Sequence, residues 1–181
     1  MKIWNELIQL RSENQDLSQR IRTCASMIVA CLNSESSDKE KRELTNRLVR
    51  VSSEIGDYRR SADAISEEAR LYIAQFGEKR RNGIVRIPKE LKKDLMHEHL
   101  VPCAFLSQTI FSSRPSREEI HKLLIEYGIR CIVLKEEDDK INAAKLNKSM
   151  PENWQLGHDP FLRYQLAGIN NFTVKERHIH P

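Results

Sequence analysis

Glycine is sparse, at 6 of 181 residues, and nowhere do glycines cluster into a phosphate-cradling loop, which argues against a nucleotide-hydrolysing enzyme. Cysteine is equally sparse. Cys24, Cys31, Cys103 and Cys131 lie far apart with no Cys-x-x-Cys pair, so neither a disulfide framework nor a structural zinc site is expected. All four read as small buried apolar residues. No run approaches the roughly 18 apolar residues that a membrane span needs. The start, Met1-Lys2-Ile3-Trp4-Asn5-Glu6, has no apolar segment of the secretory kind, so residence in the cytoplasm is the expectation.

What the chain has in abundance is charge. Charged residues make up 31% and hydrophobic residues 39%, a balance that suits a soluble protein with a large solvated surface. The net charge of +4 is uneven. Residues 1–75 hold 12 Lys and Arg against 12 Asp and Glu, whereas residues 76–181 hold 18 against 14. Within the second part, Lys79, Arg80, Arg81, Arg86, Lys89, Lys92 and Lys93 face only Glu90. Such a density suits a polyanion better than a small neutral ligand.

The first 76 residues carry two heptad-like runs. Ile3, Leu7, Leu10, Asn14, Leu17, Ile21, Cys24, Ile28 and Cys31 are spaced alternately four and three apart, with Asn14 as the polar member that fixes register. A polar break at 33–38 follows, and Ser37 or Asp38 can cap the next helix. The second run is Leu44, Leu48, Val51, Ile55, Tyr58, Ala62, Ile65, Ala69 and Tyr72. This spacing predicts an antiparallel coiled-coil helical hairpin over 1–76, serving self-assembly or partner docking. The remainder, 77–181, reads as a small mixed domain, so the fold class is α+β.

In that second part, Ile84–Ile87, Leu95–Val101 and Ile129–Leu134 read as strands. A helix is expected to run on from Pro102. Ser116 and Glu119 form a capping box for another helix, which Gly128 ends. An acid-rich helix over 135–146 follows, its carboxylates suiting the positive N-terminal end. Trp154, Phe161, Tyr164, Leu166 and Ile169 are enough apolar residues for the tail to pack back on the core.

The stretch that stands out is Met96-His97-Glu98-His99-Leu100-Val101-Pro102. Alternation puts Leu95, His97 and His99 on one face of the strand and Met96 and Glu98 on the other. Adjacent residues of this kind can share a site only where the strand twists or ends, and Pro102 supplies an ending.

Glu98-His99-Leu100-Val101-Pro102, then a strand, then an acidic helix in which Asp138 and Asn142 stand four residues apart, resembles the HNH, or ββα-metal, nucleases. The resemblance covers residues 84–150. It implies phosphodiester cleavage, with His99 as general base and a divalent ion (Mg²⁺ or Mn²⁺) held by Glu98, Asp138 and Asn142. The basic residues from Lys79 to Lys93 would grip the backbone of a nucleic acid, DNA rather than RNA. The chain departs from the family in four ways: Asp138, or Glu137 or Asp139 as ligand in its place, stands where the helix usually has a histidine, the middle asparagine has no clear counterpart, a helix intervenes between the two strands, and there is no cysteine-based zinc support. The competing reading is a non-catalytic coiled-coil adaptor or nucleic-acid-binding protein, as part of a defence or toxin complex. Of the other histidines, His97 is expected to be structural or exposed and His121 to lie on the surface, while His158-Asp159-Pro160 reads as a capped turn.

Overall fold

The computed structural model describes residues 2–54, 62–76, 79–81, 84–86, 91 and 93–174. Eight helices and six strands are assigned among them: α1 (Lys2–Glu13), α2 (Gln15–Leu32), α3 (Asp38–Ser52), β1 (Ala64–Ser66), α4 (Glu67–Gln75), β2 (Lys79–Arg81), β3 (Ile84–Arg86), β4 (Leu95–His99), α5 (Cys103–Ser113), α6 (Arg117–Tyr127), β5 (Arg130–Leu134), α7 (Lys135–Ala143), α8 (Leu162–Leu166) and β6 (Phe172–Val174). Mixed helices and strands make this an α+β protein.

Four strands form one mixed sheet in the order β4-β5-β1-β6. β4 and β5 are antiparallel, with Glu98 opposite Cys131 and His99 opposite Arg130. β1 runs parallel to β5 and antiparallel to β6. β2 and β3 pair separately. One face of the four-stranded sheet packs Leu95, Ile132 and Ile65 against Ala69 and Ile73 of α4. The other packs Cys131, Val133 and Ala64 into the main core, which reaches from Trp4 to Ile169.

The N-terminal part departs from the expected hairpin at two places. Asn14 does not sit in a continuous seam: its Oδ1 accepts the Leu17 N–H at 2.9 Å, so it caps α2 and separates it from α1. Beyond that cap, Leu17, Ile21, Cys24, Ile28 and Cys31 are buried, as their spacing requires. The second run is not one helix. It crosses from α3 through β1 to α4, with Ile55 and Tyr58 outside the described residues. Periodicity alone could not see this, because Ile65 and Ala69 are buried as well in a strand and a short helix as they would be in a seam.

Two serines end α3. Ser52 Oγ donates to the Val49 carbonyl at 2.7 Å and Ser53 Oγ to that of Arg50 at 2.8 Å. α2 and α3 pack on each other, but α2 also packs on α6 and α3 on α5. The sheet, too, draws β1 from before residue 76 and its other strands from after it.

A buried ion pair ties these parts together. Arg11 Nη1 donates to Asp63 Oδ2 at 2.8 Å, with the side chains only 1% and 3% exposed. Arg11 Nε and Nη2 donate to the carbonyls of Ile125 and Leu124, the open end of α6. Asp63 Oδ2 also accepts the Arg130 N–H at 2.9 Å. Gly128 serves this junction by its small size. A Cβ there would lie 2.5 Å from the Leu124 carbonyl oxygen and 3.3 Å from Arg11 Nη2.

The expected capping box of α6 is present, Ser116 with Glu119. The tail packs back through Trp154, Phe161, Tyr164 and Ile169, whereas Leu166 is exposed. The four cysteines are buried and free. No helix among the described residues is long and apolar enough to cross a membrane.

Candidate functional site at the end of strand β4

Glu98 and His99 close β4, and the pleat sends them to opposite faces of the sheet. Glu98 points to the main-core side. Its Oε2 accepts from Arg163 Nη2 at 2.7 Å; the arginine side chain is 0% exposed and the carboxylate 22%. Arg163 Nη1 donates to the Leu146 carbonyl at 2.7 Å, and Nη2 also donates to the Tyr164 hydroxyl at 3.0 Å. That hydroxyl lies 3.0 Å from Cys131 Sγ and 3.3 Å from the His99 carbonyl oxygen. Arg163 and Tyr164, adjacent on α8, thus hold the backbone and the carboxylate at the strand end together.

Burial pushes the Glu98 carboxyl up from its ordinary value, and the neighbouring charge of Asp138 adds to the rise, while Arg163 and Arg50 oppose it. Glu98 Oε1 accepts no hydrogen bond from a described residue.

His99 reaches the opposite side, to the end of α3. Its Nε2 lies 2.8 Å from Ser53 Oγ. Burial, reinforced by the charges of Arg130, Arg50, Arg163 and Arg11, lowers its pKa to about 3. The ring is therefore neutral at physiological pH. Arg50, in the last turn of α3, is exposed, and its guanidinium makes no hydrogen bond or ion pair with a described residue. Its charge bears on both Glu98 and His99, lowering the pKa of each.

α7 begins directly after β5 and packs on β4 and β5. Asp138 is half-buried, and its Oδ2 accepts from Asn142 Nδ2 at 3.0 Å. The i, i+4 spacing thus places the two on one helix face. Glu137 has a different task. It is buried, and its Oε2 accepts from Ser66 Oγ at 2.5 Å and from the Leu134 N–H at 2.8 Å, tying α7 to β1. Asp139 is exposed.

Among the described residues, no group of three or more His, Cys, Asp or Glu is gathered closely enough to hold a metal ion alone. Asp138 and Asn142 are joined to each other, whereas Glu98 is joined to Arg163, and among the described residues no hydrogen bond links the two sets.

Of the basic residues expected to hold nucleic acid, Lys93 is exposed. Lys79, Arg80, Arg81 and Arg86 lie on the β2–β3 pair, described by its backbone. Lys89 and Lys92 fall outside the described residues. His97 is half-buried, and His121 Nε2 lies 3.3 Å from Ser18 Oγ. His158 Nδ1 accepts the Gln155 N–H, and Asp159 Oδ1 accepts the Phe161 N–H, which makes the expected turn.

Sequence reasoning missed Arg163, Tyr164, Ser53 and Arg50. Two signals were present: an Arg-Tyr pair set between the apolar Phe161-Leu162 and Leu166-Ala167, and a double serine where a helix was expected to continue. Comparison with protein-family models, curated proteins and solved structures finds no match to this chain.

Proposed function

We propose that this chain is a phosphodiester-cleaving protein of the HNH type that acts on nucleic acid in the cytoplasm. One observation carries the reading. At the end of β4, His99 has a pKa lowered to about 3, and the adjacent Glu98 keeps one carboxylate oxygen without a donor among the described residues. A neutral imidazole can accept a proton from water. Arg50 supplies a permanent positive charge for a phosphate oxygen. Glu98, Asp138 and Asn142 would hold Mg²⁺ or Mn²⁺, which when bound stabilises charge on the phosphate and the leaving oxygen. The basic residues from Lys79 to Lys93 supply the sequence-independent grip on the backbone, with DNA favoured over RNA. The outer sides of α2 and α3, where Met27 and Leu44 are exposed, are the surface for a second copy or a partner protein.

The Glu98–Arg163 pair favours a second reading, a nucleic-acid-binding adaptor without catalysis, because Arg163 already neutralises the carboxylate that an ion would need. Cleavage of supercoiled plasmid, single-stranded DNA and RNA separates the two. Wild type, His99→Ala and Glu98→Ala are run with Mg²⁺, Mn²⁺ or EDTA. Metal-dependent cleavage that is lost in both variants supports the nuclease. Binding without cleavage under every condition establishes the adaptor.

A further inference from the structure

The C-terminal end of α3 makes a second contribution to this centre, resting on the reading of His99 as the base. We propose that Ser53 is a positioning residue. It accepts the Nε2 proton of His99, so that Nδ1 carries the lone pair and is the atom that takes a proton from water.

A serine hydroxyl has one proton and two lone pairs. The Ser53 hydroxyl lies 2.8 Å from the Arg50 carbonyl oxygen, which can only accept, so the proton goes there. It lies 2.8 Å from His99 Nε2 as well, and with its proton spent it can only accept from that nitrogen. Nε2 is therefore the protonated nitrogen, and no described residue donates to Nδ1.

Ser53 is fully buried, and Arg50 belongs to the last turn of α3, so the acceptor that orients the hydroxyl is itself fixed. Removing the hydroxyl would free the ring to exchange between tautomers, and part of the population would then present a protonated nitrogen to water.

The test is a long-range ¹H–¹⁵N spectrum of the full chain labelled at histidine, near neutral pH, for wild type, Ser53→Ala and Ser53→Thr. His121 and His158 serve as folding controls. The expected result is a neutral His99 with Nε2 protonated, a mixed signal in Ser53→Ala, and recovery in Ser53→Thr. A wild-type ring protonated at Nδ1, or a Ser53→Ala ring unchanged beside unchanged controls, overturns the proposal.

Cleavage assays separate this from the reading it rests on. Where cleavage is found, Ser53→Ala should lower kcat by about 10-fold with KM little changed and Ser53→Thr should restore it. An unchanged kcat in Ser53→Ala overturns the positioning role. Absence of cleavage together with the expected tautomer overturns the base role of His99 while the placement of its proton stands.

Discussion

Among the described residues, two arginine–carboxylate pairs have a fully buried guanidinium, and they are not equivalent. In the Arg11–Asp63 pair both partners are out of water, and the guanidinium also fills the open end of α6. In the Arg163–Glu98 pair the guanidinium is equally buried, yet the carboxylate is 22% exposed and keeps one oxygen open. The first pair is buried and bonded to the backbone around it, so it supports structure. The second has unspent bonding capacity at the end of a strand, beside a neutral histidine. What distinguishes a scaffold pair from a candidate site here is how completely the acid is satisfied.

Breaking the closed pair should have the largest effect. Asp63→Ala strands a buried guanidinium and removes the acceptor of the Arg130 N–H, so a loss of about 3–5 kcal/mol is expected. Denaturant unfolding measures it. A loss under about 1 kcal/mol would mean that the α6 carbonyls alone satisfy Arg11, and the contrast between the pairs would fail.

Acid should discriminate next. His99 has a folded pKa of about 3 against 6.5 for the free side chain. Below pH 6.5 the unfolded chain binds the proton and the folded one does not. Its contribution is thus fully present above pH 6.5 and is lost as pH falls toward about 3, at up to about 1.4 kcal/mol per pH unit. Glu98 acts in the opposite sense, since its raised pKa means that the folded state takes its proton first. His99→Asn should therefore flatten the loss of stability as pH falls below 6.5. A midpoint-against-pH series for both proteins checks it, and identical slopes would contradict a neutral ring.

Glu98→Gln should cost less than the Asp63 change, about 1–2 kcal/mol. Arg163 keeps Leu146 and Tyr164, and the carboxylate it loses is partly in water. The same variant should abolish Mn²⁺ binding measured by calorimetry, if Glu98 is a ligand. A variant as stable as wild type that still binds the ion would remove Glu98 from the proposed centre.

These two pairs also mark where sequence reading stops. Strands β4 and β5, the capping box at Ser116 and the helix after β5 were legible, because alternation and cap chemistry are local. The path of the chain from Leu44 to Tyr72 was not. Apolar residues spaced four and three apart fit a seam, but Ala64 and Ile65 instead pair with Cys131 and Ile132, a partnership made across more than sixty residues. Glu98 and His99 could be picked out from their own neighbours. Arg163 and Ser53 left only weak local signals, since each reaches Glu98 or His99 through a contact that the fold creates.

The two ends of α6 allow the comparison to be sharpened at the lower limit of effect. Its N-terminus is capped in water by Ser116, whose Oγ accepts the Glu119 N–H at 3.3 Å, while Glu119 Oε2 accepts the Ser116 N–H at 2.7 Å. Its C-terminus is capped out of water by Arg11. Ser116→Ala removes one exposed acceptor, and water can replace it, so about 1 kcal/mol is expected. Arg11→Met removes the donor to the Ile125 carbonyl and one donor each to the Leu124 carbonyl and the Asp63 carboxylate, all out of water, and should cost several times as much. Thermal unfolding of both variants reads the ratio. Equal losses would mean that solvent enters the Arg11–Asp63 junction, and the distinction between a closed and an open pair would then rest on Glu98 alone.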